Sequence, residues 1–398
     1  MGRIDDMSNK SSISSLSIYR AIAMMAVLCI HATSQTIKAT QTTDSFVVYN
    51  FLNVFSKFAV PAFLLLTSFV MFYNYCDKGL TSWSSLKEFY TKRLKLILLP
   101  YVICSTCYFL LNHWLAYRSR GLGDTLQAYV VSLIKGTAYT HLYYVIILIQ
   151  FYLIFPVILY FFRSVKSAIW AIPIGFSLHW GFVIWNKLDL HIVYKGSLLV
   201  SYSIYVMVGA FIGVYWNRIQ GWFNALTPEG SRRDRWITAV VWLVWIAASL
   251  GHVQLWYATY KYGMRFNTLW YEAAWNAHAL LSCVVLIQLS QYIERRFPER
   301  FVKLITRFGD VSFGIYLIHP VILYLYRKIP LGGGDSISYA LYIGGGFLCA
   351  FLLSWAIVEL CHRYIPFSWM FFGAVPKKRS GSVQRQNQPT QTTVHPPN

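Results

Sequence analysis

Apolar stretches long enough to cross a membrane recur along nearly the whole chain, and they limit its fold more than any other feature. They lie near residues 18–37, 51–74, 96–115, 142–162, 168–186, 197–216, 236–256, 271–292, 311–328 and 338–360. A helix of about 20 apolar residues crosses a hydrocarbon core of about 30 Å. The alternating pattern of a membrane β-barrel is absent from the sequence. Since a spanning segment must satisfy its own backbone hydrogen bonds, the sequence predicts an all-α, polytopic membrane helix bundle of about ten transmembrane helices.

Composition supports a chain that is solvated mostly by membrane lipids. Hydrophobic residues make up 56% of the 398 residues and charged residues only 13%, whereas about a quarter of a soluble domain is charged. The net charge of +20 would point to nucleic acid in a soluble protein. Here the basic residues lie in short segments between apolar stretches, which is the pattern that sets membrane orientation. We therefore expect no nucleic-acid partner.

The distribution of basic residues predicts that both termini are cytoplasmic. With ten spans and a cytoplasmic N terminus, 24 of the 35 Lys and Arg residues fall in or beside cytoplasmic segments, as the positive-inside rule requires. The first stretch lacks a small-residue cleavage site, so we expect a retained helix rather than a signal peptide. Residues 1–376 are predicted to form the membrane domain, and the polar residues 377–398 a disordered cytoplasmic tail.

Two ionisable residues, Arg20 and His31, lie in the first stretch. Eleven residues at 100° each bring both side chains to one helix face, about 16 Å apart along the axis. Ionisable groups within spans are costly and mark functional sites, so we expect Arg20 near the cytoplasmic interface and His31 near mid-membrane. A snorkelling arginine and a packed polar histidine are the alternative interpretation.

A basic run, defined here as Lys92, Arg93 and Lys95, precedes Pro100 and Tyr101 at the third stretch. Such a cluster can bind the phosphates of a nucleotide-like carrier, with Lys acting as a point charge and Arg as a bidentate fork. Positive-inside anchoring of the helix end is the alternative interpretation of the run. The run alone favours anchoring.

The ninth stretch carries Ser312, Tyr316 and His319 at a spacing that places them on one helix face. Pro320 loosens the backbone beside the histidine. A lone intramembrane histidine is often a packing residue, but His31 and His319 together indicate a shared site. His141 is expected at an outer helix end, in a segment that resembles an interfacial aromatic belt.

The seven cysteines are predicted to be inert membrane thiols. Cys104 and Cys107 form a CxxC pair, but no second pair or histidine group completes a metal site in the sequence. We therefore expect neither a metal nor a bound cofactor.

These segments together resemble the acyltransferase 3 family of polytopic membrane proteins. The matches are the Arg-x10-His of Arg20 and His31, the basic run, the HLYY motif at residues 141–144 and the SFGIYLIHP motif at residues 312–320. They extend from the first stretch to the ninth. The sequences around the basic run and the HLYY motif are similar to those of the branch that includes exopolysaccharide O-acyltransferases of Gram-positive bacteria. Many relatives carry Arg-x-x-Arg in the basic run, where this chain has Lys92-x-x-Lys95.

The resemblance implies O-acylation: transfer of an acyl group, expected to be acetyl, from cytoplasmic acyl-CoA to a hydroxyl of a cell-envelope or exported carbohydrate such as an exopolysaccharide. It implies a multi-pass protein of the bacterial plasma membrane. His31 would be the general base or a transient acyl carrier, since a neutral imidazole accepts a proton near neutral pH. His319 would support it, as a positioning residue or on the oxyanion side. Arg20 and the basic run would bind acyl-CoA, with Ser312, Tyr316 and His141 as further candidates.

Two other functions use the same residues. A transporter or flippase for polysaccharide or lipid-linked sugar would place intramembrane charges along its substrate path. A non-catalytic subunit of a polysaccharide export complex is the third possibility. Transfer or hydrolysis of acyl-CoA by the purified protein distinguishes an enzyme from both.

Overall fold

A computed structural model describes residues 14–116, 121–228, 230–329 and 336–375, and within these ranges the chain is helical without β-strands. The helices are α1 Ser15–Thr33, α2 Thr36–Ala39, α3 Phe46–Phe55, α4 Ala59–Tyr75, α5 Trp83–Ala116, α6 Leu122–Lys135, α7 Tyr143–Phe162, α8 Val165–Ala168, α9 Ala171–Trp185, α10 Ser203–Phe223, α11 Arg232–Tyr262, α12 Thr268–Arg296, α13 Glu299–Asp310, α14 Ser312–Tyr326, α15 Ser336–Tyr364 and α16 Trp369–Phe372. Shorter helical turns are Ser56–Phe58, Asn186–Leu190, Lys195–Ser197 and Leu199–Tyr202. The predicted tail, residues 377–398, lies outside the described residues.

The predicted number of spans is confirmed. In the described part of the chain, 9 helical segments are long and apolar enough to cross a membrane, and the bent pair α13–α14 makes the number 10. Each of the ten predicted stretches overlaps one of these segments. The cytoplasmic location of the termini stays a prediction.

The second span differs from a plain α-helix because a 3-10 turn at Ser56–Phe58 interrupts its regular hydrogen bonding. Pro61, near the start of α4, has no N–H to donate to the carbonyl of Lys57 four residues earlier. Trp275 Nε1 of α12 donates to that carbonyl instead, at 3.1 Å. The break is therefore stabilised by a neighbouring helix.

The ninth span differs too, because it is a bent pair rather than one helix. The amphipathic α13 and the apolar α14 meet at 72°. Gly309, before the bend, lies so close to the backbone of Ser17 that a side chain there would overlap it. Ser17 Oγ donates to Asp310 Oδ1 at 2.5 Å. These contacts hold the start of α14 against the start of α1.

Close packing of small residues joins α10 to α4. Gly209 and Gly213 form a GxxxG pair on α10, and a Cβ on Gly213 would lie 2.7 Å from the carbonyl oxygen of Phe69. Ser68 Oγ donates to the carbonyl of Val206 at 2.6 Å. Small residues allow such approach between membrane helices, where dispersion and hydrogen bonds replace the hydrophobic effect.

Helices α11 and α12 are joined by cross-helix hydrogen bonds that we call the polar ladder. Among the described residues its five rungs are Gln288 Nε2 to Thr238 Oγ1 at 3.0 Å, Trp242 Nε1 to Gln288 Oε1 at 2.8 Å, Trp245 Nε1 to Ser282 Oγ at 2.8 Å, His252 Nδ1 to His278 Nδ1 at 3.0 Å, and Thr259 Oγ1 to Tyr271 Oη at 2.5 Å. Hydrogen bonds of this kind hold membrane helices in register.

Candidate active site

Three histidines from distant parts of the sequence meet in the bundle, and we call them the histidine cluster. His31 lies in the last turn of α1, His319 lies near the middle of α14, and His141 precedes α7 by two residues. The ring centroids of His31 and His319 are 5.0 Å apart, and those of His141 and His319 are 5.7 Å apart. The sequence indicated a shared site for His31 and His319, but it assigned the segment of His141 mainly to an aromatic belt.

Tyrosines position the cluster through backbone carbonyls. Tyr316, one turn before His319, donates a short hydrogen bond to the carbonyl of His141. Tyr108 of α5 donates to the carbonyl of Leu317 at 3.0 Å. Pro320 disturbs the hydrogen bonding of this turn of α14, so a side chain from another helix can reach a carbonyl there. Sequence reasoning missed Tyr108; a hydroxyl within an apolar span was the available signal.

Most nitrogens of the two fully buried rings have no hydrogen-bond partner. His319 Nδ1 lies 3.2 Å from the carbonyl oxygen of Ile315. A carbonyl only accepts, so in the neutral ring this nitrogen carries the proton and Nε2 keeps a lone pair. Among the described residues, His319 Nε2 and both ring nitrogens of His141 have no partner. A buried polar atom left unpaired costs about 1–3 kcal/mol, which a bound substrate would recover.

His31 is the member of the cluster that a substrate can reach. It is partly exposed, whereas His141 and His319 are only 1% and 0% exposed. The sequence places His31 near mid-membrane, but α1 ends at Thr33 and His31 lies in its last turn. The site therefore lies toward one end of α1 rather than at its middle.

Arg327, directly after α14, is a cation beside His31 that sequence reasoning missed. Its Nη2 donates to the carbonyl of His31 at 2.5 Å. That carbonyl lies in the last turn of a helix, where carbonyls lack helical partners and attract cations. Arg327 was counted only among the basic residues outside the cytoplasmic segments. It fixes the end of α1 against the end of α14.

A second group of polar residues lies further back along α1. The Arg20 guanidinium lies within electrostatic range of Asp310, Tyr152, Tyr144 and Arg93. Tyr152 interacts electrostatically with both arginines. We call Arg20 and Arg93 the arginine pair. Arg93 Nε is buried and has no hydrogen-bond partner in the described part of the chain. Two neighbouring guanidinium groups with a free buried donor form a site suited to a polyanion.

The structure brings one residue of the basic run to Arg20. Arg93 is partly buried there, whereas Lys92 and Lys95 are exposed. Lys95 Nζ lies 4.5 Å from the ring centre of Trp369, a cation–π contact with α16. Phosphate binding by Lys92 and Lys95 stays a prediction.

The arginine pair and the histidine cluster lie along the same face of α1. Arg20 faces residues of α5, α7 and the α13–α14 bend, while His31 faces His319 of α14. The helical rise separates Arg20 and His31 by about 16 Å. The spacing in the sequence predicts this shared face. Ser312, a further predicted candidate, is buried in the first turn of α14, two residues from Asp310.

Metal binding has no support among the described residues, where no group of three or more His, Cys, Asp or Glu side chains is arranged to hold an ion. The seven cysteines are free. The side chains that the histidine cluster and the arginine pair present are imidazoles and guanidinium groups, with tyrosine hydroxyls beside them.

Comparison with known proteins gives one match. A family model described as an acyltransferase domain, that of the acyltransferase 3 family, matches residues 13–359, nearly the whole chain. This range contains the histidine cluster, the arginine pair and Arg327. No curated protein and no solved structure matches the chain.

Proposed function

Because this chain belongs to the acyltransferase 3 family, and is thus a membrane-embedded acyltransferase, we propose that it transfers acetyl from cytoplasmic acetyl-CoA to a hydroxyl of a cell-envelope or exported carbohydrate. One observation carries the proposal. Arg20 of the arginine pair and His31 of the histidine cluster lie on the same face of α1, about 16 Å apart along its axis. Such a site suits a long, polyanionic donor with a reactive thioester at its far end.

Donor binding follows from the chemistry of CoA. Its phosphates suit the arginine pair, since a guanidinium binds phosphate through two parallel hydrogen bonds. The separation of Arg20 and His31 matches the length of an extended pantetheine arm. The phosphates would therefore lie at the arginine pair while the thioester reaches the histidine cluster. Lys92 and Lys95, exposed beside Arg93, would add longer-range attraction for the anion.

His31 is the general base of the proposed reaction. It removes the proton from the acceptor hydroxyl as the oxygen attacks the thioester carbonyl. The carbon–sulfur bond then breaks, and the proton passes from His31 to the departing thiolate. The products are an ester and free CoA, and the enzyme returns to its starting state. Transient acylation of His31 is the alternative that double-displacement kinetics would reveal.

His319 would act as a positioning residue for His31. Its Nδ1 proton is directed to the carbonyl of Ile315, so its free Nε2 accepts rather than donates. A neutral ring in this state cannot stabilise an oxyanion, which favours the positioning role over the oxyanion role. Arg327, anchored on the carbonyl of His31, is the nearest permanent cation to the base.

The proposal requires the arginine pair to face the cytoplasm, where acetyl-CoA is found. Both termini would then be cytoplasmic and the protein would lie in a bacterial plasma membrane. A reporter fused after Lys377 should report cytoplasm, and one fused near Lys187 should report the exterior. An external C terminus would mean that a span has been miscounted, and cytoplasmic donor binding would lose its support.

Transfer by the purified protein tests the activity. Labelled acetyl should move from CoA to envelope carbohydrate, and mass spectrometry of glycans from cells with and without the protein should identify the modified sugar. A transporter or flippase, or a non-catalytic export subunit, would neither transfer nor hydrolyse acetyl-CoA. Family membership favours the enzyme.

A further inference from the structure

Three ionisable side chains form a second cluster outside the histidine cluster, and we call it the Glu272 cluster. Lys195 Nζ lies 2.7 Å from Glu272 Oε2, and His179 Nε2 lies 3.9 Å from Glu272 Oε1. The side chains of Glu272 and Lys195 are 16% and 37% exposed, whereas that of His179 is 0% exposed. The cluster therefore has a buried side and an accessible side.

The Glu272 cluster lies toward the end of the bundle where His31 lies. Ser14, just before α1, donates a short hydrogen bond to Glu294 in the last turn of α12. The start of α1 thus meets the end of α12, and the two packed helices run antiparallel. Glu272, in the second turn of α12, is accordingly at the end of the bundle opposite the arginine pair.

A row of tyrosines joins the Glu272 cluster to the histidine cluster. Tyr202 lies within electrostatic range of both Glu272 and Tyr143, and its hydroxyl donates to the carbonyl of Gly196 at 3.2 Å. Tyr143 in turn lies close to Tyr316. The ring of Tyr316 is 5.1 Å from that of His141 and 6.0 Å from that of His319. Tyrosine side chains therefore lie between the Glu272 cluster and the histidine cluster.

Hydrogen-bonding capacity remains in the Glu272 cluster. Within the described ranges neither ring nitrogen of His179 makes a hydrogen bond of normal geometry, and the backbone group that interacts with the ring is that of Ser201. A carboxylate offers about four lone-pair sites, and the contact with Lys195 uses one of Glu272's. Buried imidazole nitrogens without partners and a partly exposed carboxylate together indicate a place for a ligand with several hydroxyl groups.

The Glu272 cluster is not needed to hold the segment of residues 186–202 against the bundle, because other contacts already do so. The segment that carries Lys195 is already fixed by Gln150 of α7, which donates to the carbonyl of Ser197 at 2.8 Å and accepts from the N–H of Leu199 at 2.9 Å. Lys187 Nζ also binds Asn267 Oδ1 at 2.5 Å, joining the same segment to the cap of α12. Neither contact explains the unpaired ring of His179.

We propose that the Glu272 cluster is the subsite that holds the acceptor, and that it binds an uncharged molecule with several hydroxyl groups. The charges of Glu272 and Lys195 compensate each other, which disfavours a strongly anionic or cationic ligand. Glu272 accepts hydrogen bonds from two hydroxyls and Lys195 donates to a third, while the buried His179 lies behind the Glu272 carboxylate. The tyrosine row then directs the reacting hydroxyl to His31. This inference rests on the proposed function, because it names the part of that site that binds the acceptor.

Glu272→Gln tests the subsite with little change in shape. The glutamine oxygen still accepts from Lys195, but its NH₂ group donates where the carboxylate accepted, and the charge is lost. The probes are neutral tetrasaccharides of hexose and of N-acetylhexosamine, assayed with labelled acetyl-CoA and the full-length protein. We expect the KM for the tetrasaccharide to rise at least tenfold, while the KM for acetyl-CoA and its hydrolysis without acceptor stay unchanged.

Lys187→Met is the matched control, since it removes a contact between the same segment and the start of α12 without touching the Glu272 cluster. It should leave the KM for the tetrasaccharide unchanged. Equal rises in the two variants, or an unchanged KM in Glu272→Gln, would overturn the subsite while leaving the acyl transfer intact. Failure of the wild-type protein to acetylate any tetrasaccharide would instead overturn the carbohydrate acceptor, and the subsite with it.

Discussion

The histidine cluster and the polar ladder both contain buried histidines of membrane helices, yet they treat their polar atoms differently. In the ladder, His252 and His278 bind each other through their Nδ1 atoms, between rungs made by Trp245 with Ser282 and by Thr259 with Tyr271, and their Nε2 atoms have no partner within the described ranges. In the cluster, ring contacts replace hydrogen bonds, and both nitrogens of His141 have no partner within the described ranges.

This difference separates a structural use of buried polarity from a functional one. Cross-helix hydrogen bonds between side chains stabilise a membrane bundle by about 0.6 kcal/mol each on average. Unpaired nitrogens cost stability in both regions; in the ladder the cross-helix hydrogen bonds offset that cost, and in the cluster we expect substrate binding to offset it. The two regions should therefore respond differently to substitution: the cluster through activity and the ladder through stability.

The largest effect is expected from His31→Ala. Loss of a general base typically lowers the rate by 10²–10⁴-fold, and the change is in a partly exposed ring at a helix end, so expression and membrane insertion should be retained. The measurement is transfer of labelled acetyl from CoA to envelope carbohydrate, normalised to folded protein. His319→Ala should have a smaller effect, because a positioning residue contributes less than the base. More than about a tenth of parental activity in His31→Ala would make His31 a packing residue like those of the ladder.

Arg93→Gln should raise the KM for acetyl-CoA by more than tenfold. It removes one or two charge-assisted hydrogen bonds to phosphate, each of about 1.5–3 kcal/mol. Arg20→Ala should likewise impair donor binding. The exposed Lys92→Gln is the control, and its smaller effect should fade at high salt. If Lys92→Gln and Arg93→Gln raise the KM equally, diffuse charge rather than the arginine pair binds the donor.

Arg327→Gln should lower kcat about tenfold, in line with loss of one hydrogen bond from a charged group. Arg327→Lys retains the cation and should recover part of that loss. If Arg327 only closes the end of α1, the substitution should change the melting temperature without shifting the pH profile of kcat. Removal of a cation beside the base should instead shift that profile to higher pH. An unchanged profile in a stable Arg327→Gln protein would assign Arg327 to structure alone.

The smallest effect on activity is expected in the ladder. His252→Phe leaves His278 Nδ1 unpaired in addition to its Nε2 and should lower the free energy of unfolding by about 1–3 kcal/mol, while specific activity is unchanged. The double variant with His278→Phe should recover part of the stability, because neither unpaired nitrogen remains. Thermal denaturation in detergent measures both. A loss of acetyl transfer in stable protein would show that the ladder also serves the reaction.

The spans were predictable from the sequence because hydropathy alone determines which segments cross a bilayer. The break at Ser56–Phe58 was signalled by Pro61, but its stabilisation by Trp275 depends on a helix more than two hundred residues away. The 72° bend of α13 and α14 follows from a tertiary contact between Gly309 and Ser17. No local pattern encodes such a contact.

The site was predictable only where helical spacing determines it. Arg20 and His31 share a helix, so their common face follows from geometry. The choice of Arg93 over Lys92 and Lys95 depends on how α5 is rotated against α7, which the basic run does not encode. His141 lies outside a regular helix, and its place beside His319 is decided by packing.

The arginine pair has a consequence for the empty protein. The Arg20 and Arg93 guanidinium groups lie within electrostatic range and repel each other, and Arg93 Nε has no protein partner within the described ranges. A polyanion that binds only the folded state adds stability by mass action, about 2.7 kcal/mol at a hundredfold excess over its dissociation constant. The folded lifetime of this protein should therefore follow the cellular CoA pool, and CoA added during solubilisation should preserve protein that detergent alone would lose.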